Sequence, residues 1–155
     1  MKHLKTYNES LRDKMVGKSE DEVLRKLKKL SPNKMLINSI FYNFIEGVEI
    51  AIDRGAYLDW DQHMALRLAA TNGYTDIVKL LLDNNVDIHA YNDIALRFAA
   101  QNGNYDTVKF LIEKGANVHA QNDEALFYAL ENGYIDIANL LKQHGSNLNE
   151  YPDGK

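Results

Sequence analysis

Residues 61–150 carry a thirty-residue pattern written three times, and that period restricts the fold more than any local feature of the chain. In register, DQHMALRLAATNGYTDIVKLLLDNNVDIHA, YNDIALRFAAQNGNYDTVKFLIEKGANVHA and QNDEALFYALENGYIDIANLLKQHGSNLNE share seven identical columns. These are Ala65/Ala95/Ala125, Leu66/Leu96/Leu126, Ala69/Ala99/Ala129, Asn72/Asn102/Asn132, Gly73/Gly103/Gly133, Asp76/Asp106/Asp136 and Leu81/Leu111/Leu141. A unit this short cannot bury an apolar side by itself, so equal units must stack and close their cores against each other as a solenoid. Solenoids present extended surfaces, which directs attention to binding before catalysis.

Each unit reads as two helices. Leu66, Ala69 and Ala70 recur at i, i+3 and i+4, one helix face, and the small alanines let a neighbouring helix come close. Asn72-Gly73 ends that helix, because glycine tolerates the positive φ of a C-terminal turn. Ile77, Val78, Leu80, Leu81 and Leu82 then make a second helix apolar nearly all round, which predicts a helix sandwiched between neighbours and not amphipathic at a surface. It stops near Asn85, Gly115 or Gly145, and the following loop is expected to bury Ile88, Val118 or Leu148.

This unit, ALxxAAxNGxxDxVxxLLxxGAxxxA, resembles the ankyrin repeat, in the short thirty-residue form common in large DNA viruses and phages, with its ND-ALR-AA-NG signature. The resemblance covers residues 31–150 and implies an all-α, curved stack of helix pairs that binds another macromolecule on its concave side. The chain departs from the family where Thr-Pro-Leu-His usually opens the first helix; here stand MALR, IALR and EALF. Asp93 and Asp123 are then candidate replacement N-caps, and Arg67 and Arg97, in the histidine column, candidates to reach loop carbonyls. Each unit is three residues shorter than the commoner form, with the deficit between units, so the projecting hairpin should be reduced to a turn.

The expected organisation is a basic leader at 1–18, a capping helix at 19–30, four repeats at 31–60, 61–90, 91–120 and 121–150, and a tail at 151–155. In the first, degenerate repeat Leu36, Val48, Ile52, Gly55 and Leu58 keep the frame, while Ile40 and Phe41 add bulk. Ser31-Pro32 suits a helix start. In SEDEVLRKLKKL, Ser19 and Glu22 suit a capping box, Val23, Leu24, Leu27 and Leu30 form an apolar stripe, and Arg25, Lys26, Lys28 and Lys29 face away. At the other end Asn139, Lys142, Gln143 and His144 predict a polar outer face.

Charge and composition narrow the function. Residues 1–35 carry a net +5 and the remainder −9, so the array is acidic and its leader basic. That disfavours a phosphate-tracking groove along the repeats. With 155 residues, no cysteine, no apolar run long enough for a membrane span and no secretory h-region at the start, the chain reads as a cytoplasmic monomer without disulfides or thiolate metal sites. His89 and His119 share a column with Asp87 nearby, but two histidines are too few ligands, and the family likeness implies loop-tying residues; neither a metal nor a cofactor is expected. No GxSxG, HExxH or GxxxxGK[ST] gives catalysis a foothold, so the chain reads as a non-enzyme.

The candidate partner-binding residues are those expected on the concave side: Trp60, Asp61, Gln62, Tyr91 and Gln121 before the first helices, and Thr71, Gln101 and Glu131 after the alanine pairs. Arg67, Arg97 and Tyr128 on the first helices complete the set, because Trp, Tyr and Arg dominate interface energetics. The family likeness implies a protein partner, and the short viral and phage form implies a host protein that the array would block. The alternative is a small-molecule or nucleic-acid binder using the repeat groove or the basic N-terminal helix.

Overall fold

The computed structural model describes residues 17–147, with the backbone alone described at 60–63. The expectations for most of the leader, for Leu148 and for the 151–155 tail fall outside the described residues, as do those for the side chains of Trp60, Asp61 and Gln62. A short helix α1 (Glu20–Leu27) is followed by four pairs: α2 (Pro32–Phe41) with α3 (Ile45–Asp53), α4 (Trp60–Thr71) with α5 (Thr75–Asp83), α6 (Ala90–Gln101) with α7 (Tyr105–Glu113), and α8 (Ala120–Glu131) with α9 (Ile135–Gln143). The first helices of the pairs pack side by side in one layer and the second helices in another, with one continuous core between them. Among the described residues there is no strand, and no helix is long and apolar enough to cross a membrane.

Each identical column has a physical task. The alanines at 65/95/125 and 69/99/129 are buried where first helices press together, and Leu66/Leu96/Leu126 and Leu81/Leu111/Leu141 fill the core. Asn72, Asn102 and Asn132 donate their side-chain amides to the carbonyls of Leu68, Phe98 and Tyr128, each at 2.8 Å, a second bond to carbonyls that already accept the same residue's main-chain N–H at the helix end. The glycine that follows has φ 73, 76 and 76°, and the paired bonds Gly73 N to Ala70 O and Tyr74 N to Ala69 O close a Schellman turn that recurs in the next two units. Asp76, Asp106 and Asp136 stand exposed in the first turn of the second helices, where the helix dipole favours a carboxylate.

The second helices are not apolar all round. On α5, Ile77, Val78 and Leu81 are buried and Leu80 and Leu82 half-buried, while Asp76, Lys79 and Asp83 face solvent. The layer has neighbours on two sides and the first helices beneath, and the fourth side is open. The loops bury more than one residue: Val86, Ala116 and Ser146 occupy a buried column beside the buried Val118, whereas Ile88 is half-buried.

α1 packs on α2, and Leu24 and Leu27 are buried. Only half of the expected capping box forms: Ser19 Oγ accepts from Glu22 N at 3.4 Å, but the Glu22 carboxylate pairs with Lys18. That bond with Lys18 holds the Glu22 carboxyl below its ordinary pKa. The tie to the stack comes from Arg54 at the end of α3, whose guanidinium donates to Lys28 O at 3.2 Å and Leu30 O at 3.1 Å. At the opposite end Lys142, Asn139, Gln143 and His144 are exposed, yet so are Leu130, Tyr134 and Ile135, so that face is more apolar than the sequence predicts.

Candidate binding surface

The segments entering α6 and α8 are wound the wrong way. Tyr91, Asn92 and Asp93 have φ/ψ of 51/45, 55/59 and 54/43°, and Gln121, Asn122 and Asp123 of 54/47, 55/52 and 60/30°. Three successive left-handed residues cost about 1–2 kcal/mol each unless Asn, Asp or Gly relieves it. Asn and Asp fill two of the three positions, which explains the recurring Asn-Asp in the sequence.

What holds the turn is the aspartate. Asp93 is only 4% exposed, and its Oδ1 accepts from Asn117 N of the next repeat at 2.8 Å. His89 Nδ1 lies 3.0 Å from the same oxygen; an ionised carboxylate can only accept, so the proton is on Nδ1. Asp123 repeats the arrangement, with His119 Nδ1 at 3.0 Å, Asn147 N at 3.1 Å and Ser146 Oγ at 2.6 Å. The aspartates therefore do not cap their own helices as the sequence suggested; their carboxylates turn across the repeat boundary. His89 and His119 tie the loops, and Asp87 Oδ1 accepts the His89 amide at 2.9 Å.

The arginines also act between repeats, and among the described residues neither donates to a loop carbonyl. Arg67 lies over the Phe98 ring, 5.8 Å from its centroid. Arg97 Nε is 3.0 Å from Glu124 Oε2, close enough for an ion pair although poorly aligned as a hydrogen bond, and its side chain is 13% exposed. Tyr128 OH donates to Glu124 Oε1 at 2.8 Å. Arg97 and Tyr128 thus meet at one carboxylate that sequence reasoning passed over, and Tyr128 is half-buried where exposure was expected. Thr71 Oγ1 donates to Arg67 O at 2.7 Å and is half-buried, like Gln101. Tyr91, at 49% exposure, Gln121 and Glu131 are the sequence-predicted residues that lie open.

A second open area was missed. Tyr105, Tyr134 and Ile135 are exposed around the starts of α7 and α9, beside a shallow groove of about 330 Å³ lined by Tyr105, Asp136, Asn139, Leu140 and Gln143. The signal was present, since Tyr105 and Ile135 stand where the second unit has Thr75. On α1 and just past its end, Arg25, Lys28 and Lys29 are exposed, and Lys26 Nζ lies 4.0 Å from Glu22.

The family model described as ankyrin repeats (3 copies) matches residues 66–151. Among solved structures, the chain is similar to the ankyrin repeat domain of human ASB11, with a TM-score of 0.68 and 26% identity over 74% of this chain and 55% of that one. The chain thus spans about half the length of that domain. No curated protein matches it.

Proposed function

Since the chain belongs to the ankyrin-repeat family, whose repeats are protein–protein interaction modules, we propose that it binds a protein partner on the side of the array bearing the left-handed turns and the C-terminal ends of the first helices. The observation that carries this reading is the division between constancy in the core and variation outside it. The tie and core columns repeat, while Tyr91 becomes Gln121 on the turn and Thr71 becomes Gln101 and then Glu131 at the helix end. Packing fixes the first group; at the second, the residue type changes from unit to unit while the fold stays the same. The turns are rigid because Asp93 and Asp123 lock them, so a side chain such as Tyr91 can be buried by a partner without first ordering a loop.

In this reading the array is non-catalytic and works by occupying its partner. Its thirty-residue units support a viral or phage setting with a host protein as the target, and its lack of cysteine suits a reducing cytoplasm. Affinity purification from host extract followed by mass spectrometry identifies the partner, and Tyr91→Ala with Gln121→Ala tests the surface. Loss of binding with an unchanged melting temperature is expected. Binding that survives these changes and disappears on charge reversal at Arg25, Lys28 and Lys29 refutes the reading and moves the interface to α1.

A further inference from the structure

The sequence contains three Asn-Gly pairs, 72–73, 102–103 and 132–133, and all three sit in the same helix-ending turn. Asn-Gly is the dipeptide most prone to cyclise, because the unhindered glycine nitrogen can attack the asparagine side chain. The local geometry is nearly the same at each: φ/ψ of −92/−1° at Asn72, −102/8° at Asn102 and −89/2° at Asn132. Each asparagine amide is bonded to the carbonyl four residues back, and each glycine N–H to the carbonyl three back. In this state none is poised to react, and each must open first.

The surroundings are what differ. A Cβ on Gly73 would come within 2.7 Å of Asn104, whose side-chain amide also donates to Ala70 O and Thr71 O, each at 2.9 Å. A Cβ on Gly103 would come within 2.6 Å of the Tyr134 ring. A Cβ on Gly133 would meet nothing within 4 Å among the described residues. The first two turns are held shut by the following repeat, and among the described residues the third opens at the expense of its own bonds alone.

We propose that Asn132 is a site of spontaneous deamidation in the folded protein, while Asn72 and Asn102 are protected by the repeat stacked over them. In the reaction the Gly133 backbone nitrogen bonds to Asn132 Cγ and loses its proton to water, the Cγ–Nδ2 bond breaks, and ammonia leaves. Water then opens the succinimide at one of its two carbonyls, leaving aspartate or isoaspartate. Either product places a carboxylate at the C-terminus of α8, where the helix dipole opposes it, and isoaspartate also lengthens the main chain by one carbon within the turn to α9.

The test ages the folded chain in mildly alkaline buffer at physiological temperature and follows each Asn-Gly peptide by digestion and mass spectrometry, with a parallel sample in urea. Asn132 should convert at least about tenfold faster than Asn72 and Asn102 in the folded sample, because reaction requires local opening. The three rates should converge in urea. Equal rates in the folded protein, a faster Asn72 or Asn102, or an Asn132 lead that persists in urea overturns the proposal. Asn104→Ala, checked for folding by circular dichroism, should raise the Asn72 rate toward that of Asn132; a folded variant in which Asn72 stays slow also overturns it.

Discussion

Replacing Asp93 tests whether the array depends on ties across repeat boundaries. The carboxylate is buried and accepts from Asn117 N in the next unit and from His89 in its own. Hydrogen bonds to a charged group are worth about 1.5–3 kcal/mol in total effect when one partner is removed. Alanine adds a second loss, because φ at this position is 54° and alanine lacks aspartate's tolerance for the left-handed region, a penalty of about 1 kcal/mol. Asp93→Ala should therefore destabilise the protein by about 3 kcal/mol, which for a chain of this length lowers Tm by about 6–12 °C.

Two further substitutions separate the contributions. Asp93→Gly removes the carboxylate but relieves the backbone, so it should cost about 1 kcal/mol less than alanine. Asp93→Asn keeps an acceptor oxygen and the left-handed tolerance, and should cost about 1 kcal/mol. Urea unfolding followed by circular dichroism gives these differences. A smaller m-value in Asp93→Ala would show the α8/α9 pair melting apart from the rest, as expected when a nearest-neighbour interface weakens. The reasoning fails if Asp93→Ala and Asp93→Gly both stay within about 0.5 kcal/mol of the parent, or if asparagine is as damaging as alanine.

Other outcomes follow from the same contacts. Gly103→Ala should cost more than Gly133→Ala in a melting comparison, because both strain a φ of 76° but only the first meets the Tyr134 ring. Leu96→Ala, deep in the core, should cost about 2–5 kcal/mol by urea titration. Arg54→Met should leave the repeats folded while speeding hydrogen exchange of α1 amides, since it removes the donors to Lys28 O and Leu30 O. Acidification should loosen α1 first: the Glu22 pKa is lowered by Lys18, so this contribution is present at neutral pH and lost as pH falls through that lowered value. Amide exchange of Val23 to Leu27, measured from neutral to acidic pH, reports it.

The repeat could be read from sequence because its register is enforced by short-range physics. Ala69, Asn72, Gly73 and Leu81 each satisfy a local demand, namely close helix approach, an amide bond back onto the helix end, a positive φ and a core volume, and each recurs wherever the demand recurs. The exposed face of α5 was misjudged because periodicity shows which residues are apolar, but not which sides the neighbouring helices leave open. The aspartate tie was harder to see. Asp93 precedes an apolar run as an N-cap would, and its partner, the amide of Asn117, carries no side-chain signature at all.

That same backbone partner explains how a short repeat dispenses with the Thr-Pro-Leu-His opening. A carboxylate bonded to a main-chain amide does not depend on the side chain that carries the amide, and the tie runs to Asn117 N in one unit and to Asn147 N, with Ser146 Oγ added, in the next. Tyr91 and Gln121 occupy equivalent left-handed turns although one is aromatic and the other an amide, because the bond that shapes the turn passes through neither. Separating the residue that fixes the backbone from the residue that meets solvent is what lets the exposed position change while the fold persists, and under the proposed function a partner would read Tyr91 and Gln121 and not the aspartates beneath them.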